Sequence, residues 1–324
     1  MRMILAGDVG GTKTLLEAGT LEGGRWLPVY TARYAAAEHA DLQSVLREFF
    51  RAWGPSPKTR AALVHACFGV AGPVMDNRAR LTNLAWFVDG DSIRDEFGIA
   101  RVSVVNDFAA AASGIELLDA ADLCVLQAGE PLARAPRLVI GAGTGLGVAH
   151  LVWAGGCYQV IAGEAGHAGF APATLEQHEL WRSLFANSCR VTTEDVVSGP
   201  GLMRLYNFIR GSAGGGSASD TKTPAEIVDA ALLNGDAHSR RALDLFIACY
   251  GEAAGNLALG ALARGGVFVA GGIAPKILPR LQAGGFLDAF NAKAAYADTM
   301  RKIPLSVVIN ERLGVLGCAA IAAR

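Results

Sequence analysis

The chain has 324 residues, of which 52% are hydrophobic, so it is long enough to fill two separate cores. Its net charge of −1 provides no basic surface for nucleic acid or an anionic membrane, and no apolar run approaches the roughly 20 residues of a membrane span. We therefore expect no nucleic-acid partner, no membrane and a small-molecule substrate. Many of the 40 glycines cluster at the ends of apolar runs, where turns approach ligands.

The cysteines lie apart, mostly in apolar surroundings, and none forms a C-x-x-C pair. This pattern is typical of free buried thiols and not of disulfides or zinc ligands. The N-terminus shows no basic segment followed by a long apolar stretch, so we expect no signal peptide and a cytoplasmic location. The six positions are Cys67, Cys124, Cys157, Cys189, Cys249 and Cys318.

Strand and helix patterns alternate along the first third of the chain and then begin again near residue 137. Strands are predicted at 3–8, 13–19, 25–34, 61–71, 102–106, 137–141, 148–153 and 267–270. Helices are predicted at 41–53, 108–118, 174–188, 200–210, 223–234, 237–263 and 313–321. The last helix is rich in small residues and suited to close packing on the first domain, whereas the Gly- and Ser-rich segment 211–220 is predicted to be a mobile surface loop.

A glycine turn follows the first strand, in the sequence Asp-Val-Gly-Gly-Thr-Lys-Thr at residues 8–14. Backbone amides in such a turn can approach a phosphate, and the Asp8 carboxylate can hold a divalent ion nearby. The segment is not a Walker A loop, because Thr12 replaces the second glycine and the next segment is too short for the required helix. We predict strand, turn and strand, and an ordinary hairpin without a ligand is the alternative.

A second glycine turn lies at residues 141–147, Gly-Ala-Gly-Thr-Gly-Leu-Gly. This segment is not a dinucleotide-binding motif, because Leu146 stands where the G-x-G-x-x-G pattern needs a glycine and the following residues do not begin a helix. A strand-turn-strand element fits better. Two such hairpins could hold a polyphosphate from opposite sides.

Asn106 and Asp107 stand between an apolar strand and a helix. Capping of the helix would by itself explain such residues. The functional hypothesis is that both side chains reach a polyol at the carboxyl end of the strand, where open α/β sheets place ligands, and that Asp107 accepts the proton of an attacking hydroxyl.

Glu164 and His167 lie in a loop defined by glycines and Pro172. A carboxylate and an imidazole three residues apart can converge on one ligand, since Glu accepts hydroxyl hydrogens and His offers a donor and an acceptor. The alternative to a binding site is a solvent-exposed loop in which the histidine makes only ordinary hydrogen bonds. The other histidines have no ligand-like spacing, so we expect no metal coordination by protein nitrogen or sulfur.

The order of these motifs along nearly the whole chain resembles that of bacterial ATP-dependent glucokinases. The segments that carry the resemblance are 7–12, 81–86, 105–108, 141–147, 163–167, 198–201 and 271–273. The resemblance implies an α/β protein with the actin-like ATPase (ribonuclease H-like) fold, in which two α/β domains flank a cleft. It implies a small domain at 1–115 plus 310–324, a large domain at 116–309, and a homodimer.

The resemblance also implies the reaction, in which MgATP phosphorylates the 6-hydroxyl of D-glucose as the first step of glycolysis. Asp107 would be the catalytic base, and the sugar-binding residues would be Asn106, Asp107, Glu164, His167 and Glu194. Asp8 would organise Mg²⁺ through water, while the ATP-binding residues would be Asp8, Gly10, Gly11, Thr12, Gly143, Thr144, Gly271 and Gly272. Lys13 receives no role.

Related sugar kinases and repressors of the ROK group usually carry a cysteine-rich zinc motif after the glutamate-histidine loop. Residues 171–176 contain no cysteine, which favours the zinc-free glucokinase branch. Two alternative functions stay open. The first is a kinase for another hexose or an N-acetyl amino sugar, or a kinase that uses polyphosphate. The second is a sugar-sensing regulator. The regulator would need a basic helix-turn-helix segment, and the only basic residue ahead of the first strand in this sequence is Arg2.

Overall fold

A computed structural model describes residues 2–82, 84–186, 188–212, 222–233 and 235–324. Positions 213–220 of the predicted mobile loop lie outside the described residues, and so does Asn83 of the motif at 81–86. Within the described ranges, no helix is both long and apolar enough to cross a membrane.

Strands and helices are numbered separately in chain order. The strands are β1 (Met3–Val9), β2 (Lys13–Glu22), β3 (Arg25–Ala35), β4 (Leu63–Val70), β5 (Val74–Met75), β6 (Arg78–Arg80), β7 (Phe87–Asp89), β8 (Arg101–Asn106), β9 (Leu123–Gln127), β10 (Arg137–Ala142), β11 (Leu146–Ala154), β12 (Cys157–Gly163), β13 (Gly266–Ala270) and β14 (Leu305–Val308). The helices are α1 (Leu42–Trp53), α2 (Pro57–Ala61), α3 (Gly90–Phe97), α4 (Asp107–Gly114), α5 (Leu175–Phe185), α6 (Gly199–Ser212), α7 (Pro224–Leu232), α8 (Ala237–Ala261), α9 (Leu278–Leu281), α10 (Gly285–Asn291), α11 (Ala297–Arg301) and α12 (Leu313–Ala322).

The chain divides into two compact units. The first contains the residues up to Ala121 together with Asn310–Arg324, and the second contains Asp122–Ile309. The C-terminal helix α12 therefore belongs to the same unit as the N-terminal strands.

The first unit is built on a five-stranded sheet with the order β3-β2-β1-β4-β8. Strands β1, β4 and β8 run parallel, and their register places Asp8 beside Gly69 and Gly69 beside Val105. Helices α1 and α3 cover one face of this sheet, while α4 and α12 pack on the other. Because parallel strands end at one edge, the sheet brings Asp8 and the residues after β8 to the same side.

The second unit repeats this arrangement in the order β12-β11-β10-β13-β14, with β9 added at the edge. As in the first unit, an antiparallel hairpin pairs with parallel strands, which confirms the predicted repetition. The long helix α8 packs against the sheet through the buried Tyr250, whose hydroxyl donates to Ile140 O at 3.2 Å and accepts from Ala142 N at 3.2 Å. These bonds fix the end of β10.

Several predicted elements have other bounds in the structure. The predicted helix 108–118 ends as α4 at Gly114 and is followed by a 3-10 turn at Ile115–Leu117. The predicted strand 61–71 begins only at Leu63, since a short helix opened by Ser56 and Pro57 occupies the preceding residues. The helix expected to end at residue 210 continues to Ser212.

Candidate active site

Asp8 lies near the end of β1, and its surroundings perturb its carboxyl group. Burial, and after it the negative charge of Asp107, raises the pKa of Asp8 from 3.8 to about 6, while Lys13 acts in the opposite direction. Two carboxylates that repel each other in this way form a site where a cation is favourable.

Asn106 and Asp107 occupy the junction between β8 and α4. The Asn106 side-chain oxygen accepts from Phe108 N at 3.0 Å and Ala109 N at 3.1 Å, and its amide donates to Gly72 O at 3.2 Å. Asn106 is therefore the N-cap of α4, as the simpler interpretation of the sequence held. The half-buried Asp107 accepts from Phe108 N at 2.8 Å, so its carboxylate is held at a helix N-terminus.

The first glycine turn joins β1 to β2 as the sequence predicted. Gly10 N donates to Lys13 O at 3.0 Å, and Ala36 N donates to Thr12 O at 2.9 Å. Gly11 is half-buried and Thr12 is exposed. The strand that follows the turn excludes a Walker A loop here, because that loop leads into a helix.

The second glycine turn joins β10 to β11 and lies at the start of α6. Gly143 N donates to Gly145 O at 2.8 Å, and Gly199 N donates to Gly143 O at 2.8 Å. The first amides of this 14-residue helix already have partners, since Gly201 N donates to Ser198 Oγ at 3.0 Å and Pro200 has no N–H. What the helix start offers an anion is therefore the positive end of its dipole. Thr144 is exposed in the turn, beside this helix start.

Gly271 and Gly272 follow β13 and differ sharply in their surroundings. Gly271 has a φ of +85°, and a Cβ there would lie 2.5 Å from Ala142 O at the end of β10. Ile273 N donates to the same carbonyl at 3.3 Å. A Cβ at Gly272 would meet no atom within 4 Å, so only Gly271 needs to lack a side chain.

Gly271→Ala should therefore destabilise the protein by about 2 kcal/mol or more, because the methyl group meets both an unfavourable φ and the β10 backbone. Gly272→Ala is the matched control and should leave the urea midpoint unchanged. Equal midpoints for the two variants would contradict this description of the turn.

Glu164 precedes a 3-10 turn at Ala165–His167 and His167 is its last residue, with His167 N donating to Glu164 O at 3.0 Å. Both side chains are exposed. Glu194 N donates to Gly166 O at 2.9 Å, so the segment containing Glu194 lies directly on this loop.

The Glu194 carboxylate accepts from Leu146 N at 2.7 Å. Glu194 therefore connects the glutamate-histidine loop to the second glycine turn. The residues around Glu194 indicated only a helix start, and its candidacy came from the resemblance alone. The contact joins positions 48 apart, which no local pattern reveals.

The structure thus brings the candidate residues together as two sets, one in each unit. The first unit holds Asp8, Gly10, Gly11, Thr12, Asn106 and Asp107. The second unit holds Gly143, Thr144, Glu164, His167, Glu194, Gly271 and Gly272. Among the described residues, no cluster of three or more His, Cys, Asp or Glu side chains could hold a metal by itself.

Solved structures with the same architecture identify the class of protein. A glucokinase from an Antarctic psychrotroph matches with a TM-score of 0.90 and 29% identity, covering 100% of this chain and 99% of the other. A ROK family glucokinase from Streptomyces griseus, solved with glucose and AMPPNP, matches with a TM-score of 0.64 and 21% identity over 99% of each chain. These neighbours confirm the actin-like ATPase fold, and the chain is a sugar kinase.

Sequence comparison identifies the family. The glucokinase family model matches residues 5–324. The glucokinase of a Nostoc species is 40% identical over 346 aligned positions, which cover all of both chains. The chain belongs to the glucokinase family, so the predicted enzyme class is confirmed.

Proposed function

We propose that this member of the glucokinase family transfers the γ-phosphoryl group of MgATP to the 6-hydroxyl of D-glucose, giving glucose 6-phosphate and ADP. The observation that carries the proposal is the pair of carboxylates, Asp8 and Asp107, at one edge of a sheet beside a glycine turn. A phosphoryl-transfer site needs a group that orients the attacking hydroxyl and another that organises the cation of the nucleotide. The pair supplies both.

Asp107 orients the sugar hydroxyl in this proposal. Its carboxylate is held by Phe108 N–H, and it accepts the proton of the 6-hydroxyl as the new oxygen–phosphorus bond forms and the bond to ADP breaks. Because the transition state is loose, orientation of the hydroxyl contributes more than full removal of its proton.

Asp8 would hold Mg²⁺, with water between the carboxylate and the ion. The donor set fits this ion, since Mg²⁺ is usually bound by one or two carboxylates together with substrate phosphates and waters. When bound, the ion neutralises charge on the phosphate oxygens. The raised pKa of Asp8 supports the assignment, because a nearby cation would relieve the repulsion from Asp107.

The two glycine turns would hold the nucleotide. Gly10, Gly11 and Thr12 in one turn, and Gly143 and Thr144 in the other, would surround the phosphates. The amides of Gly10 and Gly143 donate within their turns, to Lys13 O and Gly145 O, so the donors offered to phosphate oxygens are those of Gly11, Thr12 and Thr144. Gly271 and Gly272 would let adenosine approach the end of β13. The ROK family glucokinase from Streptomyces griseus was solved with AMPPNP, which supports ATP as the donor.

Asn106, Glu164, His167 and Glu194 would hold the remaining glucose hydroxyls. Glu164 and His167 support this role because their exposed side chains share one turn, and the Glu194 segment lies on that turn. Asn106 would combine sugar binding with its capping of α4.

Two substitutions at Glu194 separate sugar binding from support of the glycine turn. We expect both Glu194→Gln and Glu194→Ala to raise the KM for glucose about tenfold, since each removes a charged acceptor. Only Glu194→Ala should also raise the KM for ATP, because glutamine still accepts from Leu146 N. Initial rates with each substrate varied in turn provide the measurement. An unchanged KM for glucose in both variants would contradict the sugar-binding role.

The position of transfer is tested with 6-deoxy-D-glucose. This analogue keeps the hydroxyls assigned to Glu164, His167 and Glu194 and lacks the attacking one. We expect it to inhibit competitively against glucose and to give no ADP. ADP formation with the analogue, at a rate comparable to that with glucose, would contradict transfer to the 6-hydroxyl.

We also propose that the protein is a cytoplasmic homodimer. All six cysteines are free thiols, which supports a reducing compartment, and the family resemblance supports the dimer. Light scattering at micromolar concentration should give twice the chain mass, and the mass of one chain would contradict the dimer.

A further inference from the structure

The first turn of α12 lies against Asp8. A Cβ at Gly314, the second residue of this helix, would stand 2.9 Å from both Cγ and Oδ2 of the Asp8 carboxyl group. Ordinary contacts between such atoms are longer than 3.4 Å. The missing side chain of Gly314 therefore leaves the space that the Asp8 carboxylate occupies.

An ion pair between a partly exposed arginine and a buried glutamate fixes the start of the same helix. Arg312, at the N-cap of α12, donates from Nε to Glu17 Oε1 at 2.9 Å and from Nη2 to Glu17 Oε2 at 2.7 Å. The Glu17 side chain on β2 is only 1% exposed and also accepts from Trp26 Nε1 at 2.7 Å. A two-point contact of this kind restrains both the position and the rotation of the guanidinium.

The rest of α12 is held against strand β4 and helix α4. At its C-terminal end, Ala322 O lies 2.9 Å from Nδ1 of the buried His65 on β4. In its middle, a Cβ at Gly317 would clash with the carbonyl oxygen of Ala110 on α4, the helix that begins with Asp107. Helix α12 thus contacts the strand that carries Asp8 and the helix that carries Asp107.

We infer that α12 positions the catalytic carboxylates, and that Glu17, Arg312 and Gly314 are positioning residues for Asp8. The inference rests on the proposed role of Asp8 in organising Mg²⁺. A carboxylate that organises a metal must be held in one orientation, and loss of a group that holds it typically lowers metal affinity about 10- to 100-fold. The ion pair sets where α12 begins, and Gly314 then presents bare backbone to the carboxylate.

Gly314→Ala tests the inference with Gly260→Ala as its matched control. Both substitutions replace a helical glycine by a better helix former, but a Cβ at the exposed Gly260 of α8 would meet nothing within 4 Å. We expect Gly314→Ala to weaken the binding of Mn²⁺ to the enzyme with ADP about tenfold, measured by electron paramagnetic resonance. Gly260→Ala should bind Mn²⁺ like the parent protein, and glucose affinity by calorimetry should be unchanged in both.

Two further variants make the result decisive. Arg312→Lys keeps the positive charge but loses the two-point contact with Glu17, so it should also weaken Mn²⁺ binding. This variant provides the test if Gly314→Ala does not fold. Asp8→Asn shows the effect of losing the carboxylate itself. If Asp8→Asn weakens Mn²⁺ binding while Gly314→Ala and Arg312→Lys do not, the inference is wrong and the proposed function stands. If Asp8→Asn binds Mn²⁺ like the parent protein, the role proposed for Asp8 fails and the inference fails with it.

Discussion

Asp107→Asn should lower kcat about a thousandfold, because the amide cannot accept the proton of the 6-hydroxyl. The fold around the residue should persist, since an asparagine oxygen can still accept from Phe108 N at the start of α4. Glucose binding should change little, because Asn106, Glu164, His167 and Glu194 would still hold the sugar. The measurement is kcat from a coupled assay, together with the glucose dissociation constant from calorimetry.

The control for this variant is Asp95→Asn, which removes a carboxylate from the exposed side of α3 in the same unit. It should leave both kcat and glucose affinity as they are. Turnover of Asp107→Asn close to that of the control would rule out Asp107 as the base.

Asp8→Asn should have two large effects in opposite directions. Activity at saturating MgATP should fall about a hundredfold or more, since charge stabilisation at the phosphates is lost. Stability without metal should rise at pH 7, because the raised pKa of Asp8 means that its ionisation disfavours the folded state. The increase in the pKa of Asp8 from 3.8 to about 6, in a partly exposed group, corresponds to about 2 to 3 kcal/mol of the free energy of unfolding.

The stabilising effect of Asp8→Asn should depend on pH. In the parent protein, the contribution of protonated Asp8 to folding stability is fully present below pH 3.8, the pKa of this group in the unfolded chain. It is lost as the pH rises through about 6, the pKa in the folded protein. The asparagine variant does not titrate there. Its advantage in urea unfolding without Mg²⁺ should therefore be present at pH 7 and absent near pH 4. A variant that is less stable than the parent at pH 7 would contradict the raised pKa.

Local sequence patterns predict the elements that depend on neighbours along the chain. The two glycine hairpins followed from glycines placed at the ends of apolar runs, and the start of α1 followed from Asp41, which caps the helix by accepting from Ser44 N at 2.7 Å. The long helix α8 was also predicted, because its apolar pattern continues over seven turns.

Local sequence patterns do not predict the elements and contacts that depend on residues far apart in the chain. In β12 only Tyr158 is buried and the last three residues are exposed, while β14 has only four residues, so each is recognisable mainly through the strand beside it. The ion pair between Glu17 and Arg312 joins positions 295 apart. A Glu in a strand and an Arg before a helix are ordinary surface residues until the fold places them together.

The most direct test of the central claim is ADP formation from MgATP in a coupled assay with D-glucose, mannose, fructose, N-acetylglucosamine or no sugar. We predict strong turnover that depends on glucose and little ADP without sugar. Turnover with another sugar but not with glucose would contradict the proposed substrate and the contacts assigned to Glu164, His167 and Glu194, and no turnover with any sugar would contradict the reaction itself.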